Sequence, residues 1–369
     1  MNKKKIAIIV GARPNFVKVA GLVDELEKQK SFDYLLVHTG QHYDFLMSKV
    51  FFEDLDIPKP HINLEIRSDK YPFTTQIAVM KEKLQEVFQK EKPDIVLVFG
   101  DCNSAIGGAL AAKSSGIKIG HVEAGLRSFD RTMSEESNRL ITDLLSDYLF
   151  THSEDANQNL LNEGHNQEKI FFVGNTMIDA LVKSREVIAK RQIINSLGLQ
   201  KGEYAVLTLH RYNNIDVKPV LKEIFEAIFE IQRALPIIFP VHPSTLKKVK
   251  DFFPNFEERA SIARNLRTIS PLGYLDMISL LENAKLAMTD SGGVQEETTY
   301  LGVPCLTLRN NTERPITITL GTNVIAGTDF DSIISSFEKM MELPKSGSIP
   351  PMWDGQAGKR ILELLCEKS

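Results

Sequence analysis

Residues 289–297 combine a strand end, two glycines and the start of a predicted helix, in the order Thr-Asp-Ser-Gly-Gly-Val-Gln-Glu-Glu. A helix N-terminus offers unpaired backbone N–H groups and the positive end of the helix dipole, and both attract phosphate. Gly292 and Gly293 carry no Cβ, so a diphosphate could approach the backbone there, next to Ser291. Glu297, one turn further, could accept hydrogen bonds from ribose hydroxyls. The segment predicts a nucleotide-diphosphate site, although an ordinary strand–turn–helix connection would show the same pattern.

Cationic side chains follow apolar segments in both halves of the chain. Arg314 comes after segment 304–308, and Arg13 and Lys18 come after the first apolar segment, 6–10. Arg13 could bind phosphate in a fork geometry, whereas a surface arginine and a solvated lysine are the alternative. The residues after segment 6–10 lack the second and third glycines of a dinucleotide fingerprint and the Gly-Lys-Ser/Thr of a Walker loop. We therefore expect no NAD cofactor.

Three carboxylates lie at predicted strand or helix ends, where they could transfer protons. Asp101 and Glu123 each end an apolar segment, and Glu135 opens a predicted helix. Two or three carboxylates at one site suit proton transfer on both faces of a sugar ring, and crowding would raise the pKa of one of them. The alternatives are helix capping by Asp101 and Glu135 and a salt bridge between Glu123 and Arg127.

Histidines follow strands as well. His210 comes directly after the predicted strand 204–209. As a cation it could stabilise the charge on a departing diphosphate, and a histidine that only bonds to a loop carbonyl is the alternative. Other polar residues, which could line a cleft or a second nucleotide site or only shape loops, are His242 and the cluster His38, Gln41 and His42.

The elements that must position these residues alternate between short apolar strands and helices. Strands are predicted at 6–10, 34–37, 95–99, 117–122, 148–150 and 170–173, and again at 204–209, 237–239, 266–269, 285–288, 304–308 and 323–325. Helices are predicted at 16–30, 74–90, 103–115, 135–145, 154–163, 218–233, 274–283 and 295–301. Ligands of doubly wound sheets bind outside the carboxyl ends of the strands. We therefore expect an α/β protein with two Rossmann-like, doubly wound domains that face each other across a cleft.

Composition excludes several classes of protein. The chain has 369 residues, 43% of them apolar and 25% charged, as expected for a globular protein with two domains. Its net charge of −4 gives no reason to expect nucleic acid as a partner, and no apolar run is long enough to cross a membrane. Segment 6–10 is too short for a signal peptide. The cysteines, Cys102, Cys305 and Cys366, are far apart, so we expect reduced thiols, no metal site and a cytoplasmic location.

Eight motifs in order resemble the non-hydrolysing UDP-N-acetylglucosamine 2-epimerases, and the resemblance extends from the first strand to Gly327. The motifs are Gly11-x-Arg13-Pro14-x3-Lys18, Gly100-Asp101, the run 121–127 (His-Val-Glu-Ala-Gly-Leu-Arg), Glu135-Glu136-x-Asn138-Arg139, Val173-Gly174-Asn175-Thr176, His210-Arg211, the run 290–297, and Thr312-Glu313-Arg314-Pro315.

The resemblance implies a fold, an activity and a set of residues. It implies a glycosyltransferase-B type fold with a first domain of residues 1–174 plus a returning helix in 355–369, and a second domain of residues 175–354. It implies a homodimer that interconverts UDP-GlcNAc and UDP-ManNAc without a redox cofactor. The implied catalytic residues are Asp101, Glu123, Glu135 and His210. The implied UDP-sugar ligands are Arg13, Lys18, His210, Ser291, Gly292, Gly293, Glu297 and Arg314.

The chain departs from the family pattern at two points. The family's Gly-Thr-Arg-Pro-Glu is Gly-Ala-Arg-Pro-Asn here, and its Asp-Thr is Asp101-Cys102. Related enzymes that act on UDP-diacetamido-uronic acids carry the same alanine, so the identity of the sugar stays open. Some bacterial members bind a second, activating UDP-GlcNAc. The residues that would lie at such a site are Gln41, His42, Arg211 and His242.

The implied reaction restricts the mechanism. C2 of an acetamido sugar is not next to a carbonyl, so easy enolisation is not available, and the chain lacks the NAD fingerprint that an oxidative route would use. Elimination of UDP to 2-acetamidoglucal, followed by re-addition on the other face, remains. The alternatives are a retaining glycosyltransferase of the same fold, a hydrolysing epimerase and a UDP-sugar sensor without catalysis.

Overall fold

The computed structural model describes residues 3–30, 32–41, 45–67, 72–261 and 265–368, and for residues 13, 45–49 and 73 it describes the backbone alone. Contacts between residues divide the chain into two compact units. The first unit comprises Met1–Ser184 with Pro351–Ser369, and the second comprises Arg185–Pro350.

The first unit is built on a seven-stranded sheet in which every pair of neighbouring strands is parallel. Its strand order is β3-β2-β1-β4-β5-β6-β7. The strands are β1 (Lys5–Val10), β2 (Asp33–His38), β3 (Ile62–Asn63), β4 (Ile95–Phe99), β5 (Lys118–Val122), β6 (Tyr148–Thr151) and β7 (Ile170–Phe172). The helices are α1 (Arg13–Gln29), α2 (Phe45–Asp54), α3 (Phe73–Glu91), α4 (Asn103–Ser114), α5 (Ser134–Leu145), α6 (Glu154–Asn162), α7 (Thr176–Lys183) and the last helix of the chain, α18 (Ala357–Glu367), with a 3-10 turn at Gln167–Lys169.

The second unit repeats the design with a six-stranded parallel sheet, ordered β10-β9-β8-β11-β12-β13. The strands are β8 (Ala205–Thr208), β9 (Ile237–Pro240), β10 (Leu266–Ile269), β11 (Leu286–Thr289), β12 (Cys305–Thr307) and β13 (Asn323–Ile325). The helices are α8 (Arg185–Ile188), α9 (Ile193–Ser196), α10 (Tyr212–Ile215), α11 (Lys218–Ile231), α12 (Pro243–Phe252), α13 (Phe256–Ser261), α14 (Tyr274–Glu282), α15 (Gly292–Leu301), α16 (Ile316–Thr319) and α17 (Phe330–Glu342).

The predicted α/β class with two doubly wound sheets is confirmed. The central strands are buried runs of Val, Ile and Leu, as strands covered by helices on both faces must be. The sequence analysis did not predict β3, α2, α7, α12 or α17, nor several one-turn helices that are too short to show a period. The predicted helix 295–301 begins earlier, at Gly292, because both glycines lie inside its first turn.

Two glycines of α4, Gly107 and Gly108, let this helix pack closely in the first unit. A Cβ on Gly108 would lie 3.0 Å from Val98 of β4, and a Cβ on Gly107 would lie 2.9 Å from Cβ of Met80 in α3. Any larger side chain would push these elements apart. The start of α4, which follows Asp101, is thereby held against the sheet.

The end of the chain belongs to the first unit. The carboxylate of Asp179 in α7 accepts hydrogen bonds from the backbone N–H groups of Ala357 and Gly358, at 3.0 and 2.6 Å, and so caps α18. Nε1 of Trp353 donates to the backbone oxygen of His152 at 2.9 Å. Helix α7 contacts α1, so it groups with the first unit although it follows residue 174. The domain boundaries expected from the resemblance stay a prediction.

Candidate active site

Asp101 follows β4 and is held by α5. Its carboxylate pairs with the buried guanidinium of Arg139, and its side chain is 27% exposed. Nδ2 of Asn138 donates to the backbone oxygen of Asp101 at 2.9 Å. One face of α5 therefore fixes both the backbone and the carboxylate of Asp101.

Glu123 follows β5 and forms a buried ion pair with Lys18 of α1. Its φ of 69° lies in the left-handed region, which is costly for a residue with a side chain. A Cβ on Gly100 would lie 2.6 Å from Nζ of Lys18 and 3.1 Å from Oε2 of Glu123. The structure therefore brings Glu123 and Lys18 beside Gly100, the neighbour of Asp101.

Glu135 lies in the first turn of α5, half-buried, and accepts a hydrogen bond from Oγ of Ser134 at 3.1 Å. Its neighbour Glu136 is the buried carboxylate that holds the preceding loop. Glu136 accepts from the N–H and Oγ of Ser128, at 2.9 and 2.8 Å, and from the N–H of Phe129 at 3.0 Å. No role was predicted for Glu136 from the sequence. Its place beside Glu135 in the motif could have indicated that it lies near the site.

Two of the three candidate carboxylates lie in ion pairs, Asp101 with Arg139 and Glu123 with Lys18. Arg127, the possible partner of Glu123 from the sequence, instead binds Asp143 at 2.6 Å and Glu163 at 2.7 Å.

The two departures from the family pattern meet in the structure. Sγ of Cys102 donates to Oδ1 of Asn15 at 3.2 Å, and Nδ2 of Asn15 donates to the backbone oxygen of Phe99 at 3.1 Å. Oδ1 of Asn15 also accepts from the N–H groups of Gly11 and Ala12, at 3.2 and 3.0 Å. Asn15 and Cys102 thus join the ends of β1 and β4.

In the second unit, Arg314 lies against the start of α15. Ser291 is the N-cap, and its own N–H donates to Oγ1 of Thr289 at 2.9 Å. A Cβ on Gly292 would lie 2.3 Å from Nη1 of Arg314. The absence of a Cβ, which the sequence analysis assigned to the approach of a diphosphate, therefore also makes room for the guanidinium.

Three guanidinium groups converge on Glu313. Oε1 of Glu313 lies 2.8 Å from both Nη2 of Arg211 and Nη1 of Arg314, and Oε2 lies 2.7 Å from Nη1 of Arg309. The pKa of Arg309 is lowered, chiefly by burial. Arg309, Arg314 and Glu313 are buried, so this is a compact cluster with more cations than anions beside a helix N-terminus.

Two further glutamates of α15 have different surroundings. Oε1 of Glu296 lies 2.7 Å from Nε of Arg314. Burial, and then the charge of Glu296, raise the pKa of Glu297 to about 8. Glu297 also raises the pKa of the buried Tyr274, after burial itself. Glu297, the predicted ribose ligand, is therefore buried and interacts electrostatically with Glu296 and Tyr274.

His210 is oriented by Asp290, the first residue of the glycine motif. Nδ1 of His210 lies 2.9 Å from Oδ1 of Asp290. The same carboxylate accepts from the N–H groups of His210 and Arg211, and Nδ2 of Asn214 donates to it at 3.2 Å. The sequence analysis named Asp290 as part of a motif and missed its contact with His210.

The remaining predicted residues have separate positions. Arg13 is the first residue of α1, and its side chain lies outside the described part, as does all of His42. Oε1 of Gln41 accepts from the N–H and Oγ of Ser104 in the first unit. His242 caps α12 by accepting from the N–H of Ser244, while Arg211 binds Glu313. The second nucleotide site stays a prediction.

In the described ranges, no group of three or more His, Cys, Asp or Glu side chains is arranged to hold a metal ion. The described helices include none that combines the length and apolar character needed to span a membrane. All three cysteines are free.

Comparison with known proteins identifies the family. A sequence model of the UDP-N-acetylglucosamine 2-epimerase family matches residues 24–366. The chain belongs to this epimerase family. A UDP-N-acetylglucosamine 2-epimerase homolog from Methanococcus maripaludis is 45% identical over 363 residues, which cover 98% of this chain and 99% of the relative.

Other family members carry related names. The UDP-2,3-diacetamido-2,3-dideoxy-D-glucuronate 2-epimerase of Pseudomonas aeruginosa is 39% identical over 98% of this chain and 99% of its own. The solved structure of the Methanocaldococcus jannaschii UDP-GlcNAc 2-epimerase, in complex with UDP-GlcNAc and UDP, has a TM-score of 0.91 and is 42% identical. That match covers 98% of this chain and 99% of the other, so the epimerase family's glycosyltransferase-B type fold applies to the whole chain.

Proposed function

We propose that this epimerase interconverts UDP-GlcNAc and UDP-ManNAc, without a redox cofactor and without net hydrolysis. The observation that carries the proposal is the convergence of Arg211, Arg309 and Arg314 on Glu313, beside the N-terminus of α15. Cations and helix N–H groups at one place bind a diphosphate and stabilise it as a leaving group. The homodimer expected from the resemblance stays a prediction.

The proposed UDP-binding groups lie mostly in the second unit. Glu297 binds the ribose hydroxyls, Ser291 and the start of α15 bind the diphosphate, and Arg314 neutralises its charge. His210, held by Asp290 and largely exposed, stabilises the charge that develops as UDP departs. The full set of proposed UDP-sugar ligands is Arg13, Lys18, His210, Ser291, Gly292, Gly293, Glu297 and Arg314.

The proposed proton transfers use the first unit. In the forward reaction a carboxylate takes the proton from C2 while the C1–O bond to UDP breaks, and 2-acetamidoglucal and UDP remain bound. A proton then returns to C2 on the opposite face, and the diphosphate oxygen adds to C1. Asp101, Glu123 and Glu135 are the candidates for these transfers. Two of them lie in ion pairs, Asp101 with Arg139 and Glu123 with Lys18.

Proton NMR in D₂O tests the function directly. Purified protein is mixed with UDP-GlcNAc and no cofactor. We expect a UDP-ManNAc anomeric signal and deuterium at C2 of both sugars, because the C2 proton exchanges with solvent in the intermediate. Free ManNAc with UDP would instead indicate hydrolysis, and an unchanged C2 proton with bound ligand would indicate a sensor or another substrate.

A second candidate substrate shares the same chemistry. The Pseudomonas aeruginosa relative is named for a UDP-diacetamido-uronic acid, and this chain carries the alanine of that group at Ala12. The same NMR assay with this UDP-sugar, compared with UDP-GlcNAc by kcat/KM, separates the two. A higher kcat/KM for the uronic acid would replace the first assignment of the sugar and leave the elimination mechanism in place.

A further inference from the structure

His121 lies near the end of β5, is completely buried, and has a hydrogen-bond acceptor at each ring nitrogen. Nδ1 lies 2.6 Å from Oδ1 of Asp143, and Nε2 lies 2.8 Å from the backbone oxygen of Gly100. A carbonyl oxygen only accepts hydrogen bonds, so Nε2 carries a hydrogen. The charge of the ring then depends on the state of Asp143.

The surroundings of Asp143 favour its ionised form. Oδ2 of Asp143 accepts from Nη2 of Arg127 at 2.6 Å and from the N–H of Gly125 at 3.2 Å. Burial alone would raise the pKa of Asp143, but His121 and Arg127 together lower it below its usual value. Because Arg127 and Gly125 already donate to this carboxylate, it acts as an acceptor, and Nδ1 of His121 donates to it as Nε2 donates to Gly100.

The charges around this ring balance. Helix α5 contributes Asp143, the loop after β5 contributes Arg127, and the residue after α6 is Glu163. Nε and Nη2 of Arg127 bind the two oxygens of Glu163 at 2.7 Å each, and His165 lies 3.8 Å from Glu163. Two cations, His121 and Arg127, thus face two carboxylates, which makes the buried charges tolerable.

The same groups hold the backbone next to the candidate catalytic carboxylates. Gly100 and Gly125 have φ values of 65° and 79°, and Glu123 between His121 and Gly125 has 69°. His121 binds the oxygen of Gly100, which precedes Asp101. Asp143 binds the N–H of Gly125. A residue other than glycine keeps a left-handed backbone conformation only where the surrounding structure holds it there.

We propose that His121, which is hydrogen-bonded at both ring nitrogens, is a positioning residue for Asp101 and Glu123. It joins the end of β4 at Gly100 to Asp143, which in turn holds the loop that carries Glu123. The two carboxylates thereby keep a constant separation while one removes and another returns a proton. The kinetic part of this inference rests on the proposed function, and the protonation of His121 does not.

The first test reads the protonation of His121 without any activity. Heteronuclear NMR of the histidine side chains is recorded at about pH 7. His121→Asn assigns the signal by removing it. We expect a hydrogen on each ring nitrogen of His121, because each nitrogen lies beside an acceptor, and a ring nitrogen without a hydrogen would overturn the proposal.

The second test measures the effect on the reaction. Because a small misplacement of a reacting group is costly, Asp143→Asn and His121→Asn should each lower kcat by about 10²-fold. The affinity for UDP, which groups mostly of the second unit bind in our proposal, should change little. His165→Asn, the same substitution at a ring that contacts neither strand end, is the matched control and should keep full activity.

The outcomes separate this inference from the proposed function. If the wild-type protein exchanges no C2 proton but both ring nitrogens of His121 carry a hydrogen, the proposed function fails and the hydrogen bonds of His121 stand. If the wild-type protein is active and folded His121→Asn or Asp143→Asn keeps normal kcat, His121 is not a positioning residue. If His121→Asn does not fold, the kcat of Asp143→Asn and the NMR spectrum of the wild-type protein still test the proposal.

Discussion

Nδ1 of His210 lies 2.9 Å from the buried carboxylate of Asp290, and the His210 side chain itself is 61% exposed. Burial alone would raise the pKa of Asp290, but His210 and the N–H groups that it and Arg211 donate lower it. The carboxylate therefore stays ionised, fixes the ring through Nδ1 and leaves Nε2 directed away from it. This is the arrangement by which a carboxylate fixes the orientation and tautomer of a histidine.

Asp290→Asn should lower turnover by about 10²-fold or more, because the amide cannot stabilise an imidazolium at position 210. Measurement of kcat for the variant and the wild type under the same conditions checks this. The single variant His210→Asn and the double variant with Asp290→Asn and His210→Asn should lose similar amounts of kcat, because the two residues act as one unit. Additive losses would show that Asp290 acts elsewhere.

The buried pair of Lys18 and Glu123 should be costly to break. Lys18→Met or Glu123→Gln leaves one buried charge without its partner, which typically lowers the free energy of unfolding by about 3–5 kcal/mol. The double variant, with no charge, should lose less than the sum of the two. Denaturant unfolding of the four proteins measures this coupling.

Lys28 of the same helix is the matched control. It is 62% exposed and pairs with Asp24 at 2.6 Å, so Lys28→Met should cost no more than about 1 kcal/mol. Equal losses for Lys18→Met and Lys28→Met would mean that the Lys18–Glu123 pair is not buried in solution.

Glu297 should make stability depend on pH. Its pKa is raised from 4.5 to about 8 in the folded protein. Between these values the unfolded chain has released a proton that the folded chain keeps, so stability falls as pH rises through this window. Above about pH 8 the full loss is present, and below the unfolded pKa it is absent.

Glu297→Gln removes the ionisable group and with it this loss. The melting temperature of the variant should exceed that of the wild type by more at about pH 9 than at about pH 5. Glu230→Gln, at an exposed position of α11, controls for the change from carboxylate to amide. If the melting temperatures of Glu297→Gln and the wild type differ by the same amount at both pH values, the raised pKa of Glu297 is contradicted.

Gly174 should tolerate no side chain. Its φ is 92°, and a Cβ there would lie 2.0 Å from the backbone oxygen of Met352. Gly116 has a φ of 67° with open space around it. Alanine in the left-handed region costs roughly 1–2 kcal/mol at either site, so Gly174→Ala should cost clearly more than Gly116→Ala. Thermal and urea unfolding of both variants measure the difference, and equal costs would show that the chain near Met352 can yield.

Much of the fold could be predicted from local pattern. Buried strands of a parallel sheet are short runs of Val, Ile and Leu, and such runs predicted every strand except the two-residue β3. Helix α17 was missed although Ile333, Phe337 and Met340 recur on one face, so its apolar period could have found it. The one-turn helices show no period, and nothing local predicts them.

The candidate site was predictable as a set of residues and not as a set of contacts. Residues at the carboxyl ends of parallel strands share one edge of the sheet, so their order along the chain was enough to nominate Asp101, Glu123, His210 and Arg314. Which groups touch them was not predictable. Lys18 was expected to bind phosphate and lies against Glu123, and Glu313 received no role although three arginines bind it.

The sequence by itself therefore determined the fold class, the family and the residues at the strand ends, because periodicity and motif order are properties of neighbouring positions. Tertiary structure decided which groups are partners, and it decided burial, which raises the pKa of Glu297 to about 8. His121 and Asp143 are 22 positions apart, and His210 and Asp290 are 80 apart. Distances of this kind depend on how strands and helices pack, and the energy of a buried charge depends on what lies within a few ångströms of it.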